Sequence, residues 1–427
     1  MLLGPVYLTT IGRMFALADC NNFYASCERL FQPQYNGIPV VVLSNNDGCV
    51  IARSNEAKAL GIKMGAVYYQ IKKEIKEHGI AVFSSHYTLY GDISARVMNN
   101  LARFTPEVEV YSIDECFFGL KGFENLNAYA EQIRETVIRN TGIPISLGVA
   151  PTKVLAKVAN KSSKKANGVM VLDTDEKIAA ILKDYPVEEL WGIGRQYAHK
   201  LIKMGINTAG QFRDLPIDWV QTNMTIVGVR MWRELWGQSC IPLHLILDRK
   251  KAMVTSRAFG KLTDDYKELQ EATTNYISRL AFKLRKEKCC ATIITVKLLT
   301  NAFNPHQAQA FPSIIIPLAH PINNTPDLVK TALEGLKKIY LSGYLFKKVE
   351  VGALGLIPES EVQLNMFTPY KGIENDKISR IMDKLNGHYG AGTLRIATEG
   401  VAQKWSLKRE FLSPAYTTNW QHIVKTK

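Results

Sequence analysis

Three carboxylates stand out by where they fall in the chain. Asp19 ends the apolar run Met14-Phe-Ala-Leu-Ala18, and the adjacent pair Asp114-Glu115 follows the alternating run Glu107-Val-Glu-Val-Tyr-Ser-Ile113. A short apolar run reads as a buried strand and a period of two as a half-buried one, so each carboxylate is expected at a strand tip. Carboxylates converging on one sheet edge repel one another unless cations neutralise them. Mg²⁺ favours such oxygen ligands and keeps positions for substrate phosphates. Two such ions about 3.5–4 Å apart activate a hydroxyl and stabilise a leaving pyrophosphate in an in-line displacement. On residue types alone the plainer alternative stays open, because acidic pairs at turns are often simply solvated.

The elements that must hold these residues follow from the neighbouring pattern. Pro39-Val-Val-Val-Leu43 reads as a second strand closed by the turn-forming Ser44-Asn-Asn-Asp-Gly48. Ser54–Leu60 reads as a short helix stopped by Gly61. Cys116–Leu120 continues as a strand, with a helix expected around 125–140 and a strand at 143–149. Up to about residue 172 this predicts an antiparallel-leaning α+β sheet with helices on one face. From 173 to 240 the pattern changes to short helices with glycine turns, among them Gly192-Ile-Gly194, and Leu247–Lys251 reads as a charged linker. Residues 251–356 predict strand, helix, strand, strand, helix, strand, a βαββαβ sandwich of two helices on a four-stranded sheet. The remainder carries Gly, Pro and polar clusters, with one helix expected near 374–386.

Composition narrows the partners. The 427 residues carry 53 Lys+Arg against 39 Asp+Glu, a formal charge of +14, which points to a polyanion: nucleic acid or an anionic membrane surface. Hydrophobic residues at 46% and charged residues at 22% argue against intrinsic disorder. No apolar run reaches the roughly 18 residues of a membrane span. Seven cysteines (Cys20, Cys27, Cys49, Cys116, Cys240, Cys289 and Cys290) form neither a disulfide framework nor a CxxC zinc spacing, and are read as reduced thiols. The apolar stretch 1–13 lacks the cationic start of a signal peptide and is read as an upstream extension, with Met14 as the working start. His86, His199 and His388 belong to no metal-ligand spacing and are read as structural or exposed.

Around the carboxylates the wording of the sequence is more specific. Asp19-Cys-Asn-Asn-Phe-Tyr-Ala-Ser-Cys-Glu28 and Tyr111-Ser-Ile-Asp-Glu115 resemble the first and S-I-D-E motifs of Y-family (translesion) DNA polymerases. Pro39–Val42 and Ala57-Lys-Ala-Leu-Gly61 resemble that family's fingers. Leu43–Arg53, Trp191-Gly-Ile-Gly-Arg195 and Ser413-Pro-Ala-Tyr-Thr-Thr418 resemble the UmuC-type catalytic subunits of bacterial DNA polymerase V. The resemblance runs from Met14 nearly to the end.

The resemblance implies an α+β multidomain, right-hand polymerase. Its palm would be 14–22 with 84–172, its fingers 23–83, its helix-hairpin-helix thumb 173–243 and its βαββαβ little finger 248–356, followed by a C-terminal extension over 357–427. It implies error-prone translesion synthesis in the SOS response, with two Mg²⁺ ions on Asp19, Asp114, Glu115 and the Cys20 carbonyl, and dNTP substrates. Tyr24 matches the steric gate, where an aromatic ring against the sugar leaves no room for a 2′-hydroxyl. Lys58 and Lys165 match positions that hold the incoming triphosphate. Asn55 stands where many relatives carry tyrosine, while Cys49 and Ile51 match the roof over the templating base. Gly192 and Gly194 would present backbone amides to DNA phosphate. Arg249, Lys250, Lys251, Arg257 and Lys261 would grip template backbone. Gln363, Leu364, Met366 and Phe367 resemble a sliding-clamp pentapeptide. Further implied partners are primer-template DNA, a UmuD-like processed dimer and a RecA filament, in the cytoplasm at the nucleoid. Two rival readings remain at this level: a palm-fold nucleotidyl cyclase, and a catalytically silent DNA-bound scaffold.

Overall fold

The computed structural model describes residues 14–246, 248–363, 370, 372–401, 403, 405 and 407–424. The chain divides into two compact units. The first comprises residues up to Ser44, 48–247 and the tail from Phe411; the second comprises Asn45–Asp47 and Asp248–Glu410.

In the first unit the elements run β1 (Phe15–Cys20), α1 (Phe23–Phe31), β2 (Val40–Leu43), β3 (Val50–Arg53), α2 (Asn55–Ala59), α3 (Lys72–Glu77), β4 (Ala81–Ser84) and α4 (Tyr87–Leu101). There follow β5 (Val108–Val110), β6 (Glu115–Gly119), α5 (Leu126–Thr141), β7 (Ile145–Ala150), α6 (Lys153–Ser163), β8 (Val169–Val171) and α7 (Asp175–Asp184). The short helices α8 (Arg195–Lys203) and α9 (Ala209–Arg213) and the longer α10 (Ile217–Leu235) close the unit. One sheet has the order β5-β6-β1-β7-β8, antiparallel except at its β7–β8 edge. A second, β3-β2-β4, carries the segment between α1 and α4.

The expected placement of helices on one face of the first sheet is corrected. Alternate residues of β1 enter different cores: Ala16, Ala18 and Cys20 pack with α1, α4 and α5, whereas Phe15 and Leu17 pack with α6 and the helices beyond it. A strand whose residues are nearly all buried has an apolar layer on both sides. One glycine sets the spacing of that second layer. A Cβ at Gly148 on β7 would lie 2.1 Å from the Asn160 amide nitrogen and 2.4 Å from the Ala156 carbonyl, so only glycine lets the α6 backbone rest on the strand. Buried Asn160 then donates from Nδ2 to the carbonyls of Leu17 (3.1 Å) and Ser146 (2.8 Å), tying α6 to β1 and β7 together. Thr152 caps the N-terminus of α6 through the Leu155 amide.

In the second unit β9 (Ala252–Thr263), α11 (Tyr266–Lys286), β10 (Cys289–Leu299), β11 (Ser313–Ile322), α12 (Thr325–Ile339) and β12 (Phe346–Leu354) reproduce the expected βαββαβ order. The sheet order is β11-β10-β12-β9, all antiparallel. Helix α13 (Ile373–Tyr389), expected over 374–386, is fastened to this unit by Arg285, whose guanidinium pairs with both oxygens of Asp383 at 2.6 and 2.7 Å. Trp405 is buried against Tyr276, ring edge to ring face at 5.6 Å. The extension after residue 357 is therefore divided: its first part belongs to the second unit, and its tail from Phe411 to the first. All seven cysteines are free, with Cys290 buried and Cys289 half-buried.

Candidate active site

β1 and β6 pair antiparallel with Asp19 directly opposite Glu115, and the Cys20 amide donates to the Asp114 carbonyl at 2.8 Å. The three carboxylates thus share one end of one strand pair. Ser112 shapes the turn between β5 and β6: its hydroxyl donates to Asp114 Oδ1 at 2.6 Å and accepts from the Glu115 amide at 3.0 Å.

Two lysines that the sequence reading did not single out answer the acidic charge. Lys164, at the C-terminal end of α6, donates to Asp19 Oδ1 at 2.6 Å. Lys157, two turns earlier, reaches both oxygens of Glu115 at 2.9 and 3.0 Å. The Lys157 ammonium also lies 4.8 Å from the Tyr111 ring centre and 5.3 Å from that of Trp191. The expected phosphate-binding Lys165 is the neighbour of Lys164 and is exposed. Burial pushes the Asp19 carboxyl above its usual range; Lys164 pulls it back, and the charges of Glu115 and Asp114 add to the push.

Lys58 on α2 completes a cationic side to the site. Its ammonium donates to Asn22 Oδ1 at 2.5 Å, and Asn22 in turn donates to Asn55 Oδ1 at 3.0 Å. Burial, then the charges of Arg53 and Lys164, lower its pKa, with Asp19 opposing them. Lys58, Arg53 and Lys164 therefore cluster beside the carboxylates, an arrangement suited to a polyphosphate bridging them. Tyr24, on α1, is half-buried and stacks on Tyr90 at 4.4 Å with the rings 17° apart; Tyr87 meets it edge-on at 6.2 Å. Burial raises the Tyr24 phenol, with further contributions from Tyr87 and the Asp114 charge. Cys49 and Ile51 are half-buried, on the turn into β3 and within it.

The donor set fits magnesium in kind: hard oxygens, mutually repelling, whose charge calls for cations. Among the described residues no three His, Cys, Asp or Glu side chains close around one point, and two of the carboxylates are bonded to ammonium groups.

Away from this centre, Gly192 has φ +101 and Gly194 precedes α8, whose first turn presents free amides. A single 3₁₀ turn, Val187–Glu189, precedes it. In the second unit Arg249 pairs with Glu361 at 3.4 Å and Lys250 with Glu287 at 2.5 Å, both at the surface. Arg257 lies on the parity of β9 that faces α11, beside Arg279 and Lys283; the mutual repulsion of these cations adds to burial in lowering the Arg279 and Lys283 pKa values. A pocket lined by Arg257, Arg279, Arg409 and Trp405 opens there. Sequence reasoning named Arg257 but missed Arg279 and Lys283, since only the fold brings β9 and α11 together. Of the clamp-like residues Gln363 is exposed, while Leu364, Met366 and Phe367 lie outside the described residues. His86 is buried, and His199 and His388 are exposed. Among the described residues no helix is long and apolar enough to cross a membrane.

Comparison with known proteins gives the family. Residues 18–161 match the impB/mucB/samB family, residues 250–366 its C-terminal domain and residues 376–425 a domain of unknown function. The chain is 39% identical over 424 residues to protein UmuC of Salmonella typhimurium, covering 97% of this chain and 100% of the relative. It is 38% identical to protein SamB of Salmonella typhimurium, with 97% and 100% covered. To DNA polymerase IV of Moorella thermoacetica it is 26% identical, with 88% and 93% covered. In fold it is similar to a Y-family DNA polymerase chimera of Dbh and Dpo4, with a TM-score of 0.67 at 21% identity, covering 81% of this chain and 99% of that one. These relationships leave no place for the cyclase reading: the chain belongs to the impB/mucB/samB family, the UmuC-type branch of the Y-family DNA polymerases.

Proposed function

We propose that the chain copies damaged DNA with low fidelity, as part of the SOS response, by two-metal nucleotidyl transfer at Asp19, Asp114 and Glu115. The observation that carries this is the β1–β6 register, which sets Asp19 opposite Glu115 with Asp114 in the adjoining turn, their charge answered by Lys164 and Lys157. Y-family polymerases use divalent metal ions and deoxynucleoside triphosphates. In this chain the three carboxylates and the Cys20 carbonyl would hold two Mg²⁺ ions. Such ions, when bound, activate the primer 3′-hydroxyl and stabilise the charge on the leaving pyrophosphate.

The chain's own residues supply the rest. Lys58, Arg53 and the Lys164-Lys165 pair donate to triphosphate oxygens, with Asn22 and Asn55 steering Lys58. Lys164, which donates to Asp19 in the free chain, would give that bond to phosphate on engagement. Tyr24 stands where the 2′-hydroxyl of a ribonucleotide would have to fit. Cys49 and Ile51, small and aliphatic, form a roof that leaves room for a damaged base. The amides after Gly192 and Gly194 hold duplex phosphate without reading sequence. Arg249, Lys250, Lys251, Arg257 and Lys261, joined by Arg279 and Lys283, hold template backbone in a salt-dependent way. The reaction needs positioning and charge neutralisation more than covalent chemistry.

By relation to UmuC, a UmuD-like dimer is the proposed accessory partner, with a RecA filament and, through Gln363, Leu364, Met366 and Phe367, the sliding clamp. The proposed location is the cytoplasm, at the nucleoid. The test of the metal assignment is Asp114→Asn in the full chain: primer-template binding should persist while nucleotide incorporation is lost. Primer extension by that variant at near the wild-type rate would refute the assignment.

A further inference from the structure

The tail that returns to the first unit is fastened at three points. Phe411 exchanges backbone and side-chain bonds with Ser84 at 2.9 and 3.0 Å and meets the Tyr68 ring edge-on at 5.6 Å. Tyr416 stacks on Phe31 at 4.7 Å. Between them, buried Ser413 donates to Glu28 Oε1 at 3.1 Å and meets His86 Nδ1 at 3.2 Å. The outer two contacts are aromatic and lie at the tail's two ends. The middle one does something they do not, because it ends on a fully buried carboxyl whose burial is costly.

Glu28 sits one helical turn after Tyr24 on α1, so both side chains share one face of the helix. Tyr90 of α4 spans the pair: its hydroxyl donates to Glu28 Oε1 at 2.6 Å and its ring is the surface on which Tyr24 stacks. Glu28 Oε1 is thus shared by the Tyr90 and Ser413 hydroxyls, while Oε2 is buried with no hydrogen-bond partner among the described residues. With one oxygen receiving both bonds, the carboxyl orientation depends on both donors. That orientation fixes where the Tyr90 hydroxyl sits, and the Tyr90 ring fixes the backstop of Tyr24.

We propose that Ser413 of the C-terminal tail is a positioning residue for sugar selection, acting through Glu28 and Tyr90 on the ring of Tyr24. The inference rests on the reading of Tyr24 as the gate against ribonucleotides. A tail that only sealed the surface would change the rate for both sugars alike; a tail that sets the gate changes their ratio.

The experiment uses the full chain with its accessory proteins, an undamaged primer-template with a templating thymine, and dATP or ATP as the incoming nucleotide. Ser413→Ala should lower the ratio of kcat/KM for dATP over ATP about fivefold, the scale of one lost hydrogen bond. Ser413→Thr, which keeps the hydroxyl, should restore most of it. Tyr90→Phe keeps the ring, removes the other bond to Glu28, and should lower the ratio similarly. Tyr24→Ala serves as the reference for the gate itself. Should Tyr24→Ala erode discrimination while Ser413→Ala and Tyr90→Phe both keep the wild-type ratio, the proposal is overturned and the gate reading stands. Equal losses of rate for both nucleotides, with a lowered melting temperature, overturn it as well. An unchanged ratio in Tyr24→Ala would overturn the gate reading and the proposal with it.

Discussion

Glu28→Gln preserves the shape of a fully buried side chain and removes its titration, which makes it a direct probe of the tail contact. Burial raises the Glu28 carboxyl from 4.5 to about 7, against the opposing effect of the Tyr90 and Ser413 hydroxyls. The folded protein therefore holds this proton more tightly than the unfolded chain. Stability from that proton is fully present below pH 4.5 and is lost as pH rises through about 7. A displacement from 4.5 to about 7 corresponds to about 3 kcal/mol at 1.36 kcal/mol per pKa unit. In urea unfolding monitored between pH 4.5 and 8, wild type should lose about 3 kcal/mol relative to Glu28→Gln, nearly all of it below pH 7.5 and almost nothing above. Any constant penalty for placing an amide beside the buried site drops out, since only the change of the difference with pH is read. Parallel stability curves for the two proteins across this range would refute the reasoning, because Glu28 would then titrate alike folded and unfolded.

Other perturbations follow from the same geometry. Lys153 and Glu109 form a buried ion pair at 2.5 Å, and Glu109 also accepts from the His244 amide at 2.8 Å. Lys153→Met, which strands that carboxylate, should cost about 3–5 kcal/mol in denaturant unfolding, and adding Glu109→Leu should recover most of it. A Lys153→Met protein as stable as wild type would contradict the pairing. Arg279→Ala should weaken primer-template binding and reduce the slope of log affinity against log salt by about 0.9, the signature of one lost phosphate contact. An unchanged slope would remove Arg279 from the DNA-binding surface. Phe117 on β6, fully buried between the first sheet and α6, should cost about 3–5 kcal/mol when replaced by alanine, measured in the same unfolding assay.

How much of this was legible in the sequence depends on how far apart the interacting residues lie. Asp19 and Asp114-Glu115 could be placed at strand ends because the apolar runs leading to them are local signals. The βαββαβ order of the second unit was readable for the same reason, each element carrying its own periodicity. The helices on both faces of the first sheet were not, since β1 is too short for its near-continuous burial to be told from ordinary alternation. Lys157 and Lys164 were missed because their role exists only once Gly148 and Asn160 seat α6 on the strands; they lie 42 and 145 residues from the carboxylates they pair with. Ser413 and Glu28 meet across 385 residues, and no local pattern marks either as half of a contact. Arg279 carries no local signal, since its neighbour Arg257 comes from another element.

If Asp19, Asp114 and Glu115 form the polymerase centre, they extend primers past damage. The most direct measurement is primer extension across an abasic site in Mg²⁺, using the full chain alone and then with a UmuD-like dimer, a RecA filament and the clamp. Bypass is expected in the complete mixture and should be lost in Asp114→Asn, with DNA binding retained. DNA binding without any extension under every condition would contradict it, and would leave a DNA-bound scaffold in its place.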